Sequence, residues 1–228
     1  IVLLNKDIAK RNAAEEAVKY VKNGMVVGLG TGSTAKIAVD IIGAKLSEDF
    51  QIVGMPTSIK TKLQAEGLGI KLIEIDEADT IDLAIDGADE VSPDMSLIKG
   101  LGGALLREKK VEKKAKELII IVDEGKLVQK LGRGDLPVEV RSKDYETIGS
   151  KIEELGCEAR LRIEENDEIF ITDNQNYIYH CKFPDGIDNP VLINEKLMDI
   201  DGVKDTGLFL DMATKVIVGS ANNVKILE

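Results

Sequence analysis

The amino-acid sequence predicts an α/β fold: a mostly parallel sheet core with helices on both faces, plus a smaller inserted α+β domain. Three observations lead there. Continuous apolar runs such as residues 118–122 read as strands covered on both faces instead of alternating, half-buried ones. Those runs alternate with segments of helical periodicity. After Gly125 the texture changes to turn-rich and alternating segments, which marks the smaller domain.

Taken in order, residues 7–23 place Ala14, Ala17, Val18 and Val21 on one helical face, and Gly24 stands where a helix C-terminal glycine belongs. Residues 25–29 read as a short buried strand. Ser33 is placed to cap a second helix carrying Ile37, Ile41, Ile42 and Leu46. The alternation continues with a strand at 51–54, a helix at 58–66 and strands at 71–75 and 82–85. A helix with Leu105, Leu106 and Val111 as its apolar positions precedes the strand at 118–122. Beyond it come a strand at 136–140, a helix at 144–155, strands at 158–163 and 168–172 around the turn Glu165-Asn166-Asp167, and a strand at 177–182. A helix at 190–198, capped by Asn189, precedes residues 207–210 and the apolar strand 215–218, which is expected to rejoin the core sheet. The expected division is an α/β core of residues 1–128 and 206–228 with a smaller α+β domain at 129–205.

The composition excludes several classes of function. A formal net charge of −11, spread along the 228 residues, repels nucleic acid but leaves room for a small anionic ligand in a local positive pocket. Cys157, Cys181 and the lone His180 are too few for a zinc cluster and fit a reducing cytoplasm. No apolar run approaches the roughly 18 residues that span a bilayer. No metal, nucleic acid or membrane partner is expected.

Four polar segments follow expected strands. In Gly28-Leu29-Gly30-Thr31-Gly32-Ser33-Thr34 the glycines free the backbone, the hydroxyls add donors and the following helix N-terminus favours an anion, which suits a phosphate as well as a plain tight turn. The stretch lacks a Walker lysine, and Ser33 stands in place of the third dinucleotide-fingerprint glycine, so neither ATP nor NAD fits. Asp86-Gly87-Ala88-Asp89-Glu90 sits at a strand's carboxyl end, where ligands bind in open α/β sheets; it reads as an acid–base pair, a cation site or a solvated acidic turn. In Lys99-Gly100-Leu101-Gly102-Gly103 a lysine opening a glycine loop can meet a developing oxyanion, with Glu108 downstream as a candidate base. Glu108 lies among Arg107, Lys109 and Lys110, a pattern that by itself is more at home on a solvated helix face. Asp123-Glu124-Gly125-Lys126 offers Lys126 to a phosphate or a hydroxyl.

Together with Leu136-Pro137-Val138-Glu139-Val140, these segments resemble, in order and spacing, the ribose-5-phosphate isomerase A family. The resemblance implies an aldose–ketose isomerase of the non-oxidative pentose phosphate pathway, interconverting D-ribose 5-phosphate and D-ribulose 5-phosphate through an enediolate without a cofactor. By it, Glu108 is the general base, Lys99 stabilises the enediolate, and Asp86 and Asp89 serve ring opening and hydroxyl proton transfers. The substrate contacts it implies are Thr31, Gly32, Ser33, Thr34, Asp86, Gly87, Ala88, Asp89, Lys99, Gly100, Leu101 and Gly102, with Lys10 and Lys126 assisting. The family loop runs as a lysine and three consecutive glycines, whereas here Leu101 interrupts the run. The resemblance also implies a cytoplasmic homodimer or homotetramer.

Overall fold

Among the residues described by the computed structural model, 2–228, seven strands build the main sheet. Their spatial order is Val224–Leu227, Lys215–Gly219, Ala115–Asp123, Ile81–Asp86, Val26–Leu29, Val53–Pro56 and Lys71–Leu72. All neighbours run parallel except Val224–Leu227, which lies antiparallel to Lys215–Gly219. Side chains alternate between the faces of a strand. Val27, Leu29, Leu83, Ile85, Ile119 and Ile121 therefore share one core with Ala13, Ala17, Val39 and Ile42 of the helices Val2–Val18 and Ser33–Lys45. Gly28 points to the opposite face, where a Cβ would lie 2.9 Å from Val111 Cγ1 of the helix Leu105–Glu112. Both faces are thus covered, as expected of a buried parallel sheet.

The chain forms two compact units. The first holds the main sheet and comprises the chain up to Ala88, Arg107–Leu127 and Met212–Glu228. The second, Asp89–Leu106 with Val128–Asp211, has an antiparallel four-stranded sheet in the order Val203–Thr206, Leu136–Arg141, Asn176–Lys182, Glu158–Leu161. A three-stranded sheet, Leu208–Phe209, Leu97–Ile98 and Glu90–Val91, completes it. Its core gathers Leu136, Val138, Val140, Ile148, Ile152, Tyr179 and Leu197.

Several boundaries differ from the sequence expectation. The first helix ends at Val18, not at residue 23, because the amides of Lys19, Tyr20 and Val21 turn back to carbonyls only three residues earlier. Ser33 is the first helical residue and not the cap; Gly32 takes the cap position with φ +112°. Residues 71–75 give a strand of only Lys71–Leu72 before a 3₁₀ turn at Ile75–Glu77. Residues 168–172 contribute a single bridge, Ile163 to Ile169, instead of a strand. Residues 89–106 and 206–211 fall in the second unit, because Glu90–Val91 and Leu97–Ile98 build a sheet with Leu208–Phe209. Among the described residues, no helix is long and apolar enough to cross a membrane.

Candidate active site

Four parallel strands, Val26–Leu29, Val53–Pro56, Ile81–Asp86 and Ala115–Asp123, carry polar residues at their carboxyl ends. Parallel strands with helices on both faces leave that edge as the ligand-binding side. The turn after Val26–Leu29 is anchored to the end of Ile81–Asp86: the Asp86 carboxylate, 1% exposed, accepts the Thr31 amide at 3.0 Å and the Gly87 amide at 2.7 Å. That approach demands glycine at position 30, where a Cβ would lie 2.3 Å from Asp86 Oδ1. With Gly32 in its left-handed conformation, the helix Ser33–Lys45 begins at once, and the amides of its first turn face outward toward any anion. Lys10 reaches across from the first helix and donates to Ser33 Oγ at 3.0 Å, which brings a cation to the same turn.

Thr31 is held by a cluster of hydroxyls that sequence reasoning missed. Its Oγ1 lies 2.7 Å from Thr57 Oγ1, 2.9 Å from Ser58 Oγ and 3.2 Å from Thr61 Oγ1. Thr57 and Thr61 in turn donate to the carbonyls of Leu29 and Gly30 at 2.8 and 2.9 Å, so the cluster fixes both the side chain and the backbone of the turn. A signal existed, since Thr57 and Ser58 follow directly on an apolar strand, but the segment has no glycine to draw attention to it. Thr31, Gly32, Ser33 and Thr61 line a cleft of about 250 Å³ together with Lys36 and Lys60, two further cations. Lys36 also pairs with Asp40 at 2.9 Å. Burial pushes the Asp40 carboxyl up, but hydrogen bonds from Lys36 and Gln64 outweigh it and hold the group below its ordinary value.

The remaining candidates of the first unit are Glu108 and Lys126. Glu108 is 4% exposed and sits in the first turn of Leu105–Glu112, where the helix dipole meets negative charge favourably. Lys109 and Glu112 are buried as well, so this charged helix turns a polar face inward; it is not a solvated surface helix. Lys126 ends a 3₁₀ turn, Glu124–Lys126, that Asp123 caps by accepting the Gly125 amide at 3.0 Å. The half-buried Ala88 and Gly87 follow Asp86 at the end of its strand.

The second unit orders the other two segments. Asp89 Oδ2 accepts the Leu101 amide at 3.0 Å, and the Asp89 amide donates to the Ile98 carbonyl at 2.8 Å, so the acidic turn and the glycine loop hold each other. Lys99 is 1% exposed; its amide donates to Gly207 O at 2.9 Å and its ammonium lies 5.3 Å from the Phe209 ring centre. Left-handed backbone occurs at Gly100, φ +94°, and Gly103, φ +91°, and not at Leu101. The loop geometry therefore needs glycine at the two flanking positions, and a leucine at 101 is compatible with it. Gly102 is exposed with open space around it. Among the described residues no group of three His, Cys, Asp or Glu side chains converges as a metal set.

The family model for ribose 5-phosphate isomerase A (phosphoriboisomerase A) matches residues 53–223. The chain is 47% identical over 216 residues to ribose-5-phosphate isomerase A of Bacillus mycoides, covering 95% of this chain and 97% of that protein. It is 46% identical over 234 residues to the probable ribose-5-phosphate isomerase 3, chloroplastic, of Arabidopsis thaliana, covering 99% and 85%. Among solved structures, it is similar to a D-ribose-5-phosphate isomerase in complex with phospho-erythronic acid, with a TM-score of 0.93, 42% identity and coverage of 98% and 99%. A second is ribose 5-phosphate isomerase A of Methanocaldococcus jannaschii, with a TM-score of 0.91, 40% identity and coverage of 96% and 98%.

Proposed function

The chain belongs to the ribose 5-phosphate isomerase A family, and from that premise we propose that it interconverts D-ribose 5-phosphate and D-ribulose 5-phosphate by proton transfer through an enediolate. The observation that carries the substrate side is the turn at Thr31, Gly32, Ser33 and Thr34: helix amides, hydroxyls and the Lys10 ammonium converge there as a phosphate would require. In the chemistry proposed, Glu108 takes the C2 proton of the open-chain aldose, and the electron pair runs into the C1 carbonyl as an enediolate. The carboxyl then returns the proton to C1 while the O2 hydroxyl proton moves toward O1. Lys99 meets the negative oxygen of the enediolate, and Asp86 and Asp89 serve ring opening and the hydroxyl proton transfers. Gly87, Ala88, Gly100, Leu101 and Gly102 contribute backbone contacts to the substrate, and Lys126 assists Lys10 around its oxygens. The working form proposed is a cytoplasmic homodimer or homotetramer in the pentose phosphate pathway, with neither nucleic acid nor membrane as partner.

The test compares ribose 5-phosphate with free ribose. The phosphate is remote from the reacting carbons, so its binding energy is spent on holding the sugar in place for the transition state. A charged group at a helix N-terminus contributes about 0.3 to 2 kcal/mol by itself, and the Lys10 ammonium adds a second favourable charge at the same turn, so kcat/KM for free ribose is expected to be lower by roughly tenfold. Equal values for the two sugars would show that the turn at 31–34 is not a phosphate cradle.

A further inference from the structure

The glycine loop after Lys99 is held from outside by two residues that no motif singled out. Arg162 follows the strand Glu158–Leu161, and its Nη1 donates to the Leu101 carbonyl at 3.0 Å. The guanidinium carbon of Arg162 lies 3.8 Å from the centre of the Phe170 ring, close enough for cation–π attraction. Phe170 is tied back in turn, its amide donating to the Arg162 carbonyl at 3.1 Å. The loop fits this pair closely: a Cβ at Gly103 would lie 2.6 Å from Phe170 Cζ and 3.0 Å from Arg162 Nη1.

The consequence lies in the Leu101 backbone. Its N–H is held by Asp89 and its C=O by Arg162, so the two peptide planes flanking one Cα are both pinned. Gly100 and Gly103 on either side are the residues with the most conformational freedom to lose. Without the guanidinium, the Leu101 carbonyl loses this partner, while the Asp89 contact and the Gly103 amide bond to the Gly100 carbonyl at 2.9 Å stay.

We propose that Arg162 and Phe170 are positioning residues, which fix residues 100–102 in the shape that meets the sugar phosphate while touching no substrate themselves; this rests on the proposed substrate contacts of Gly100, Leu101 and Gly102. An arginine suits the task better than a lysine. Its flat fork donates to the carbonyl and stacks on the ring at the same time, whereas an ammonium would keep only the charge.

The experiment uses the full chain with Arg162→Ala, Arg162→Lys and Phe170→Leu. It measures amide hydrogen exchange of residues 101–103, kcat and KM for ribose 5-phosphate, and the thermal midpoint. Arg162→Ala is expected to speed exchange at these amides and to lower kcat/KM by roughly 10- to 100-fold, chiefly through KM. Millimolar guanidinium ion should restore part of that loss by reoccupying the place over Phe170, and should restore less when Phe170→Leu is added. Arg162→Lys should fall between wild type and Arg162→Ala. Unchanged exchange in Arg162→Ala and Arg162→Lys would overturn the clamp itself. Faster exchange with unchanged kcat and KM would instead remove residues 100–102 from substrate contact. A loss that guanidinium does not reverse and that follows the thermal midpoint would reduce Arg162 to general stabilisation and overturn its positioning role.

Discussion

Glu108→Gln is expected to lower kcat by roughly two to four orders of magnitude, the span of a general base removed from a proton-transfer step. The substitution keeps the length and shape of a side chain that is 4% exposed, so packing in the first turn of Leu105–Glu112 is retained. What disappears is the ability to accept the C2 proton and hand it on. Because that proton moves only in the transition state, KM should change far less than kcat. Steady-state kinetics on protein shown to be folded by its thermal midpoint checks the prediction, and near-normal turnover would exclude Glu108 as the base.

Lys99→Met is the second large effect, with an expected fall in kcat of about 10²- to 10³-fold, the loss seen when one oxyanion donor is removed. Methionine preserves most of the unbranched stem in a position that is 1% exposed and 5.3 Å, measured at the ammonium, from the Phe209 ring. Lys99 is buried beforehand, so in the oxyanion role proposed for it the ammonium would not have to shed water during the reaction. A drop confined to KM would show that Lys99 binds ground state and transition state alike, and would take the oxyanion role from it. The thermal midpoint again separates a catalytic loss from an unfolding one.

Much of the first unit was legible because its strands are apolar without interruption: Ile119, Ile120 and Ile121 are all fully buried, which only a sheet covered on both faces allows. The helix Pro190–Met198 could be placed to the residue, since Asn189 accepts the Leu192 amide at 3.0 Å and proline occupies the first turn. The two-residue strands Glu90–Val91 and Leu97–Ile98 are too short to show any period, and their sheet is completed by Leu208–Phe209, more than a hundred residues away in sequence. Their pairing was therefore invisible, and with it the grouping of residues 89–106 with the second unit. The burial of Glu108, Lys109 and Glu112 was hidden for another reason. Charge density in a helix normally signals solvent, and only tertiary packing shows that a charged face turns inward. Lys10 was reachable from the family resemblance but not from its own surroundings, because its contact with Ser33 spans 23 residues. The Arg162 contact with Leu101 spans 61, and no local pattern announces it.

The most direct test of proton transfer through an enediolate follows deuterium placed at C2 of ribose 5-phosphate during conversion in ordinary water. A carboxylate that takes the deuteron up exposes it to exchange before returning it, so the ribulose 5-phosphate formed is expected to have lost part of its label to solvent hydrogen. Complete retention of the label at C1, together with near-normal turnover by Glu108→Gln, would mean that hydrogen passes directly between the two carbons as a hydride, and would contradict the enediolate and the base assigned to Glu108.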